Sequence, residues 1–300
     1  DYGSDGIYIT PRRVGEDGWE LSIKALIDNA DCSHKARFTL IDADGNEKAS
    51  TIADLRPIIS AKLPVEDPVL WNGRKNPYLY TVRCEIFDST TEEVTDNIDI
   101  RTGLREYHID SHKGFFLNGE HIKLQGVSRH QDRENMGNAI TEKQHAEDVK
   151  IILDVGANSV RLAHYQQNSY FYDLCDESGL LVWAEVPVIS RFSPKRNENA
   201  EQQLVELIKQ NYNHPSIFCW GIENEITIAG SASKKLITFL KHMHKVARHF
   251  DPTRYTTCAQ LTMCPVNSPL NHITDIIGYN HYYGWYMGSC DEINNWLDEW

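Results

Sequence analysis

The sequence lacks the features that mark nucleic-acid-binding and membrane proteins. Basic residues are in deficit: 30 lysines and arginines face 43 acidic residues, for a formal net charge of −13. This balance argues against a surface for nucleic acid or for an anionic membrane. No apolar run approaches the length of about 18 residues that a transmembrane helix needs, and no basic and apolar leader opens the chain.

Patterns for disulfides, metals and phosphate groups are also missing. The seven cysteines are odd in number and scattered, which favours reduced core residues and a reducing, cytoplasmic location. His242 and His244 would point about 200° apart around a helix, so they cannot form one ligand face. No glycine-rich loop follows a predicted strand, which counts against dinucleotide binding. We therefore predict no metal site and no cofactor.

Residues 1–104 have the pattern of antiparallel β-strands. Apolar side chains alternate with mostly polar ones from Trp19 to Ile27 and from Ala36 to Leu40, and Asp44-Gly45 supplies a hairpin turn. Short strands separated by turns are typical of a sandwich of two sheets. We predict a β-sandwich domain over residues 1–104.

From residue 105 onward, predicted strands alternate with predicted helices. Thr141 and Gln144 form a capping box at the start of the first helix, and Gly156 closes it. Six strand–helix units predict a parallel (β/α)8 barrel, which needs about 250 residues when complete. We therefore expect residues 105–300 to be the N-terminal part of such a barrel, truncated before strand seven, within a longer protein. The predicted strands are residues 122–127, 159–163, 180–186, 217–222, 255–259 and 276–280.

One stretch, from Asn213 to Glu225, combines a buried strand with a cluster of carboxylates. Its sequence is NHPSIFCWGIENE, in which the apolar run stops at Glu223-Asn224-Glu225. Barrel enzymes place their chemistry where the strands end. The stretch therefore predicts a catalytic carboxylate at the end of the fourth strand. A core strand followed by a solvated acidic loop is the alternative.

These motifs together resemble glycoside hydrolase family 2, which includes β-galactosidases, β-glucuronidases and β-mannosidases. The resemblance is carried by N-H-P-S followed by W-x-x-x-N-E, by GVSRHQD and by NSVRLAHY. A fourth segment, LWNGRKNPYLYTV, resembles part of the immunoglobulin-like sandwich that precedes the family's barrel. The resemblance implies an immunoglobulin-like β-sandwich followed by a (β/α)8 TIM barrel, with only about six βα units present here.

The resemblance also implies a retaining mechanism, in which two carboxylic groups lie about 5–5.5 Å apart. Glu225 resembles the acid/base, and the family's nucleophile, a glutamate on strand seven, is expected beyond residue 300. Glu185 and Glu223 match neither position, and we predict structural or supporting roles for both.

Further residues are assigned to the sugar pocket by the same resemblance. Considered singly, each has a structural alternative: a satisfied histidine, a loop cap, or a hydrophobic rim or subunit contact. The residues that resemble substrate-binding groups are His130, His164, Asn224, Asn280, Tyr282 and Tyr286, and those that resemble nucleophile-orienting groups are Arg161 and Tyr282. Because a lone buried arginine is costly, Arg161 requires a carboxylate partner, which the resemblance identifies as the nucleophile.

One departure from the family concerns metal. Some of its β-galactosidases bind magnesium through a Glu-x-His pair just after strand three. The matching positions here are Ile189 and Arg191, which cannot replace those ligands. The sequence therefore predicts that this metal is absent.

The substrate predicted from these motifs is a terminal β-D-galactoside. RLAHYQ, WAEVP and the lack of an Asp-Glu pair after strand three favour a β-galactosidase. A β-glucuronidase would share the same core, and its carboxylate-recognising residues would lie beyond Trp300, so it stays open. A non-catalytic carbohydrate-binding protein that lost the nucleophile is the second alternative. The expected partner is a carbohydrate, a homo-oligomer of the full-length enzyme is compatible with the sequence, and the 300 residues alone are predicted to be inactive.

Overall fold

The computed structural model describes residues 6–15 and 18–298, so the outermost positions of both predicted domains lie outside the described residues. Seven long strands and two short ones form the first domain. Three of them pair in the order β1-β2-β5 and four in the order β4-β3-β8-β9. The strands are β1 (Ile7–Val14), β2 (Gly18–Leu26), β3 (His34–Ile41), β4 (Glu47–Asp54), β5 (Ile58–Val65), β6 (Trp71–Asn72), β7 (Asn76–Pro77), β8 (Tyr80–Asp88) and β9 (Val94–Thr102).

The alternation seen in the sequence places one face of each sheet in a shared core. Leu21 and Ile23 of β2 are buried against residues such as Phe38 and Leu40 of β3. Successive side chains of a strand point to opposite faces, so the polar residues between them face outward. The predicted β-sandwich is confirmed.

A small three-stranded sheet separates the sandwich from the barrel and corrects one prediction. Its strands are β10 (Tyr107–Asp110), β11 (Gly114–Leu117) and β12 (Glu120–Ile122). The Asn118-Gly119 turn joins β11 to β12, so Ile122 ends this sheet and does not begin the barrel. The first barrel strand is β13 (Gly126–Arg129). The β-structure is interrupted between β12 and β13, where the Asn158 side chain donates to Lys123 O and accepts from Gln125 N, both at 2.8 Å.

Six parallel strands, ordered as in the sequence, form a partial TIM barrel, as predicted. Five helices accompany them among the described residues, and all eight residues of the fourth barrel strand are buried. After β13 come α1 (Glu142–Asp154), β14 (Ser159–Leu162), α2 (Ser169–Ser178), β15 (Leu181–Glu185), α3 (Asn197–Asn211), β16 (Ile217–Asn224), α4 (Lys234–Phe250), β17 (Tyr255–Leu261), β18 (Ile276–Asn280) and α5 (Ile293–Leu297).

Two arginines anchor the turn that leads into β16. Arg105, just after the sandwich, donates to Pro215 O at 2.9 Å and to Ile217 O at 3.1 Å. Arg254 donates to the carbonyls of Tyr212 and His214, both at 2.8 Å. Buried carbonyls need such partners, so these bonds fix where β16 starts and therefore where it ends.

Three sequence predictions concern groups outside the candidate site. All seven cysteines are free thiols, and five of them are buried. The described residues contain one cluster with metal-ligand geometry, Asp173, Asp176 and His214. It lies at the start of β16, where Asp176 is bonded to His214 and Ser216 N, and Asp173 pairs with Arg101. No described helix is long and apolar enough to cross a membrane.

We predict that Gly179→Ala destabilises the full-length protein far more than Gly156→Ala. Both glycines follow a helix and have positive φ, +73° and +81°, where alanine costs roughly 1–2 kcal/mol. A Cβ at Gly179 would also lie 2.2 Å from Gly73 O of the sandwich, whereas a Cβ at Gly156 meets nothing within 4 Å. Overpacking of this kind adds about 1–3 kcal/mol.

Urea unfolding of the two variants measures the difference. Equal losses would show that the backbone at Gly73 can move away from a Cβ at Gly179 without a cost in unfolding free energy. The contact would then not fix the sandwich against the barrel.

Candidate active site

Arg161, at the end of β14, forms the centre of a polar network at the carboxyl ends of the barrel strands. Its Nε donates to Glu185 Oε2 at 2.9 Å and its Nη2 to Glu185 Oε1 at 3.1 Å. The guanidinium also lies over the Trp183 ring, 4.7 Å from its centroid. Glu185 is fully buried, and a bidentate pair of this kind satisfies a carboxylate that water cannot reach.

The same guanidinium reaches two further strands. It donates to Asn224 Oδ1 on β16 at 2.6 Å and to Asn280 Oδ1 on β18 at 3.0 Å. Asn280 Nδ2 in turn donates to Asn224 Oδ1 at 3.0 Å and to Glu225 Oε1 at 2.9 Å. Four predicted site residues, Arg161, Asn224, Glu225 and Asn280, therefore lie in one hydrogen-bonded cluster.

Glu225 follows directly after β16 and is held by its backbone as well. Its N–H donates to Ala259 O at 2.8 Å, and its φ is +48°, a conformation that residues other than glycine seldom adopt. The pairing of β16 with β17 shifts register just before this point. Bulged and strained backbone is frequent at functional sites because it redirects a side chain. Here the strain accompanies a half-buried carboxylate at the open end of the barrel.

The two predicted histidines differ in how firmly they are placed. His164 Nδ1 bonds Glu185 Oε1, so it joins the network around Arg161. His130 is exposed; it lies edge-on to His164 with 5.3 Å between ring centroids, and its Nδ1 is 3.5 Å from Tyr165 Oη. The structure therefore places His164 within the cluster and His130 at its rim.

The aromatic residues after β18 form one wall of the site. Burial, and to a lesser extent the nearby Glu225 carboxylate, raises the pKa of the Tyr282 phenol, so the phenol keeps its proton near neutral pH. Tyr286 contacts Tyr282 with 5.1 Å between centroids and stacks on Trp285 at 5.0 Å. Because Tyr286 and Trp285 are 71% and 76% exposed, they contribute an open aromatic surface and not a closed pocket.

Glu223 lies beneath the site and not in it. Its side chain is fully buried, and Oε2 accepts a hydrogen bond from Ile226 N at 3.1 Å. Burial raises its pKa to about 8, so at neutral pH the group is mostly an uncharged acid. A carboxyl that a substrate cannot reach does not transfer a proton to it, which agrees with the supporting role predicted for Glu223.

The segment after β15 supports Asn224 through its backbone. Val188 O accepts from Asn224 N at 2.9 Å, and Ser190 N donates to Asn224 O at 3.1 Å. Between them Ile189 is 43% exposed. This geometry gives the segment that contains Ile189 and Arg191 a positioning function, while the absence of a metal there stays a prediction.

Two features of the cluster were not foreseen from the sequence. Arg161 has its required carboxylate partner in Glu185 within this chain, whereas the sequence assigned that partner to the nucleophile. Trp183, which lies under Arg161, was not singled out. The sequence feature that could have identified the partner is Glu185 itself, because it is a charged residue at the end of an apolar strand, just as Glu225 follows one.

The chain matches known proteins along almost its whole length. The model of the glycosyl hydrolases family 2 TIM barrel domain matches residues 109–300, and that of glycosyl hydrolases family 2 matches residues 5–105. A β-glucuronidase of Bacteroides fragilis is 37% identical over 99% of this chain and 44% of its own length. A β-galactosidase of Thermoanaerobacter pseudethanolicus is 30% identical over 83% of this chain and 33% of its own length.

Solved structures agree with these matches. The crystal structure of an FMN-binding β-glucuronidase from Facaelibacterium prausnitzii aligns with a TM-score of 0.95 and 41% identity, over 100% of this chain and 46% of the other. The chain thus spans less than half the length of these relatives. Since both family models match and together cover the sandwich and the partial barrel, the chain belongs to glycoside hydrolase family 2.

Proposed function

We propose that the full-length protein is a retaining β-glucuronidase. The observation that supports a glycosidase is the Glu225 carboxylate, bonded to Asn280 in one cluster with Asn224 and Arg161 at the open end of the barrel. The relatives support the glucuronide: the B. fragilis and F. prausnitzii proteins are both β-glucuronidases and cover this chain almost completely. The galactoside favoured by the sequence motifs becomes the alternative, supported by the more distant Thermoanaerobacter relative.

In the proposed mechanism Glu225 protonates the leaving glycosidic oxygen. Its Oε1 accepts from Asn280 Nδ2, which leaves Oε2 to carry the proton toward the substrate. The nucleophile is a second glutamate beyond residue 300, so the 300 residues alone are expected to be inactive. After the leaving group departs, Glu225 removes a proton from the water that attacks the glycosyl-enzyme.

The neighbours of Glu225 bind and orient. Asn224 hydrogen-bonds the sugar 2-hydroxyl, a contact that strengthens as charge develops on the sugar ring. Tyr282 donates its phenolic hydrogen toward the nucleophile, and Tyr286 offers a ring face to the sugar. Because Glu185 already neutralises Arg161, Arg161 orients the nucleophile through hydrogen bonds and adds little net positive charge. His164 and His130 bind hydroxyl groups.

Hydrolysis by two carboxylic groups needs no cofactor, and none is proposed. The cytoplasmic location inferred from the cysteines is also kept as a proposal.

We expect the full-length enzyme to prefer glucuronides strongly. A site built to bind a carboxylate rejects an analogue without it by about 10⁴-fold or more, because its buried polar groups are then left unpaired. The measurement compares kcat/KM for 4-nitrophenyl β-D-glucuronide, its methyl ester and 4-nitrophenyl β-D-galactoside. The methyl ester is the matched control, since it removes the charge of the carboxylate and adds only one methyl group.

Each outcome of this comparison identifies one of the candidate functions. Preference for the galactoside would support the β-galactosidase, and tight binding of a glucuronide without turnover would support a non-catalytic carbohydrate-binding protein.

We expect Glu225→Gln to lower kcat on a natural glucuronide by about 10²- to 10⁴-fold, the usual contribution of general acid catalysis. Activated aryl glucuronides should suffer less in the first step, because their leaving groups need little protonation, and the glycosyl-enzyme should accumulate. Glu225→Ala should regain turnover with azide and give a β-configured glycosyl azide.

Glu223→Gln is the matched control for this experiment. Glutamine mimics the uncharged acid that burial favours at this position, so less than about a tenfold change in kcat is expected. A near-normal rate for Glu225→Gln together with a large loss for Glu223→Gln would reverse the two assignments.

A further inference from the structure

A cleft with a volume of about 580 Å³ lies between the sandwich and the barrel, away from the candidate active site. One wall is the outward face of the β1-β2-β5 sheet, and the other is the C-terminal part of α3 and α4. In a (β/α)8 barrel the helices run opposite to the strands, so these helix ends lie at the end of the barrel opposite Glu225. The cleft is therefore a second site, independent of the proposed function.

The sheet wall presents two rows of side chains. Strand pairing aligns Tyr8, Lys24 and Ser60 in one row, and Thr10, Ser22 and Lys62 in the next. Since the alternate residues, such as Ile9 and Ile23, are buried in the sandwich core, these rows face away from the core. Arg12 extends the same face along β1.

The barrel wall combines positive charge with aromatic rings. Lys209 Nζ lies 5.7 Å from the centroid of the Phe250 ring. The His249 ring lies edge-on to Phe250 with 5.0 Å between centroids. Tyr212 contacts Tyr8 of the opposite wall edge-on at 5.3 Å, so aromatic surface continues from one wall to the other.

The charge of this cleft is opposite to that of the whole chain. Four lysine or arginine side chains and one histidine line it, and no aspartate or glutamate is among its described lining residues, although acidic residues outnumber basic ones in the sequence. Of the four, only Lys62 has an ion pair among the described residues, with Glu20 at 3.1 Å. Glu20 is also the cross-strand neighbour of Arg12, so the local excess of positive charge is largest at Lys24 and Lys209. Like charges repel one another, and a bound anion would reduce that cost.

An ordinary structural explanation accounts for only part of this pattern. Lys209 and His249 lie in the last turns of α3 and α4, where cations stabilise the negative end of a helix dipole. Lys62 of the sheet is already paired with Glu20. The dipole explanation does not apply to Arg12 and Lys24, which project from a sheet with little net dipole. Their convergence on the same cleft is what indicates a ligand.

We propose that this cleft binds a small organic anion in which a phosphate or sulfate group is attached to a ring. Lysines bind such groups as point charges, and the faces and edges of the tyrosine and phenylalanine rings suit a planar or sugar ring. The volume lies within the range of roughly 300–1,000 Å³ that is usual for small-molecule sites. An aromatic phosphate ester and a sulfated sugar are two sources of the same chemistry.

Calorimetric titration of the full-length protein with 1-naphthyl phosphate and with N-acetylglucosamine 6-sulfate tests the proposal. We expect at least one of them to bind with a Kd below about 1 mM and to bind more weakly as salt is added. Binding of one compound alone identifies the source of the ligand. Inorganic phosphate and sulfate should bind much more weakly, because they lack the ring.

Charge-removing variants place the binding in the cleft. Lys24→Gln on the sheet wall and Lys209→Gln on the barrel wall should each raise the Kd at least about tenfold, the effect of losing one charge-assisted contact. The matched control is Lys143→Gln, because the Lys143 side chain is 80% exposed on α1, outside the cleft. It should leave the Kd unchanged.

The proposal is overturned if neither ester binds with a Kd below about 1 mM, or if the inorganic ions bind as tightly as the esters. An equal loss for Lys143→Gln would also overturn it, because the attraction would then be diffuse and not specific to the cleft.

Discussion

The candidate active site depends on the buried ion pair between Arg161 and Glu185. An arginine at the end of an inner barrel strand costs several kcal/mol if it is left unpaired, and Glu185 removes that cost with two hydrogen bonds from the neighbouring strand. With its orientation fixed in this way, the guanidinium bonds Asn224 and Asn280, and Asn280 bonds Glu225. Hydrogen bonds from one ion pair thus connect four strands and set the position of Glu225, the carboxylate proposed to act as the acid/base.

Much of the fold could be predicted because its causes are local. Alternating apolar residues such as Leu21 and Ile23 specify a strand with one buried face, and the capping box of Thr141 and Gln144 is present in the structure. The predicted sixth barrel strand coincides with β18 (Ile276–Asn280). The cluster of Arg161, Asn224, Glu225 and Asn280 could also be predicted, because residues at the ends of parallel strands meet at one end of a barrel.

The rest depended on contacts that no local pattern records. The Asn158 side chain, 33 positions away from Gln125, accepts the Gln125 N–H just before β13. The sequence does not show this contact, so the predicted start of the first barrel strand, at residue 122, was wrong. The burial of the polar His145 on α1 is a second example, because it depends on a contact of its ring with Arg129 Nη2, at 3.1 Å, on another element. The pairing of Arg161 with Glu185 joins two strands whose order in space had to be known first. The substrate could not be predicted because relatives with different substrates share this core.

The stability of Glu185→Gln tests the central role of the ion pair most directly. Glutamine keeps the shape and removes the charge, which takes from the part-buried Arg161 the carboxylate that accepts two of its hydrogen bonds. Breaking the pair in this way should cost roughly 3–5 kcal/mol of unfolding free energy. The matched control is Glu177→Gln, whose partner Arg101 is solvent-exposed and also pairs with Asp173; it should cost less than about 1 kcal/mol. Urea unfolding of the full-length protein gives both values. Equal, small losses would contradict the account, because Arg161 would then keep its place without the carboxylate.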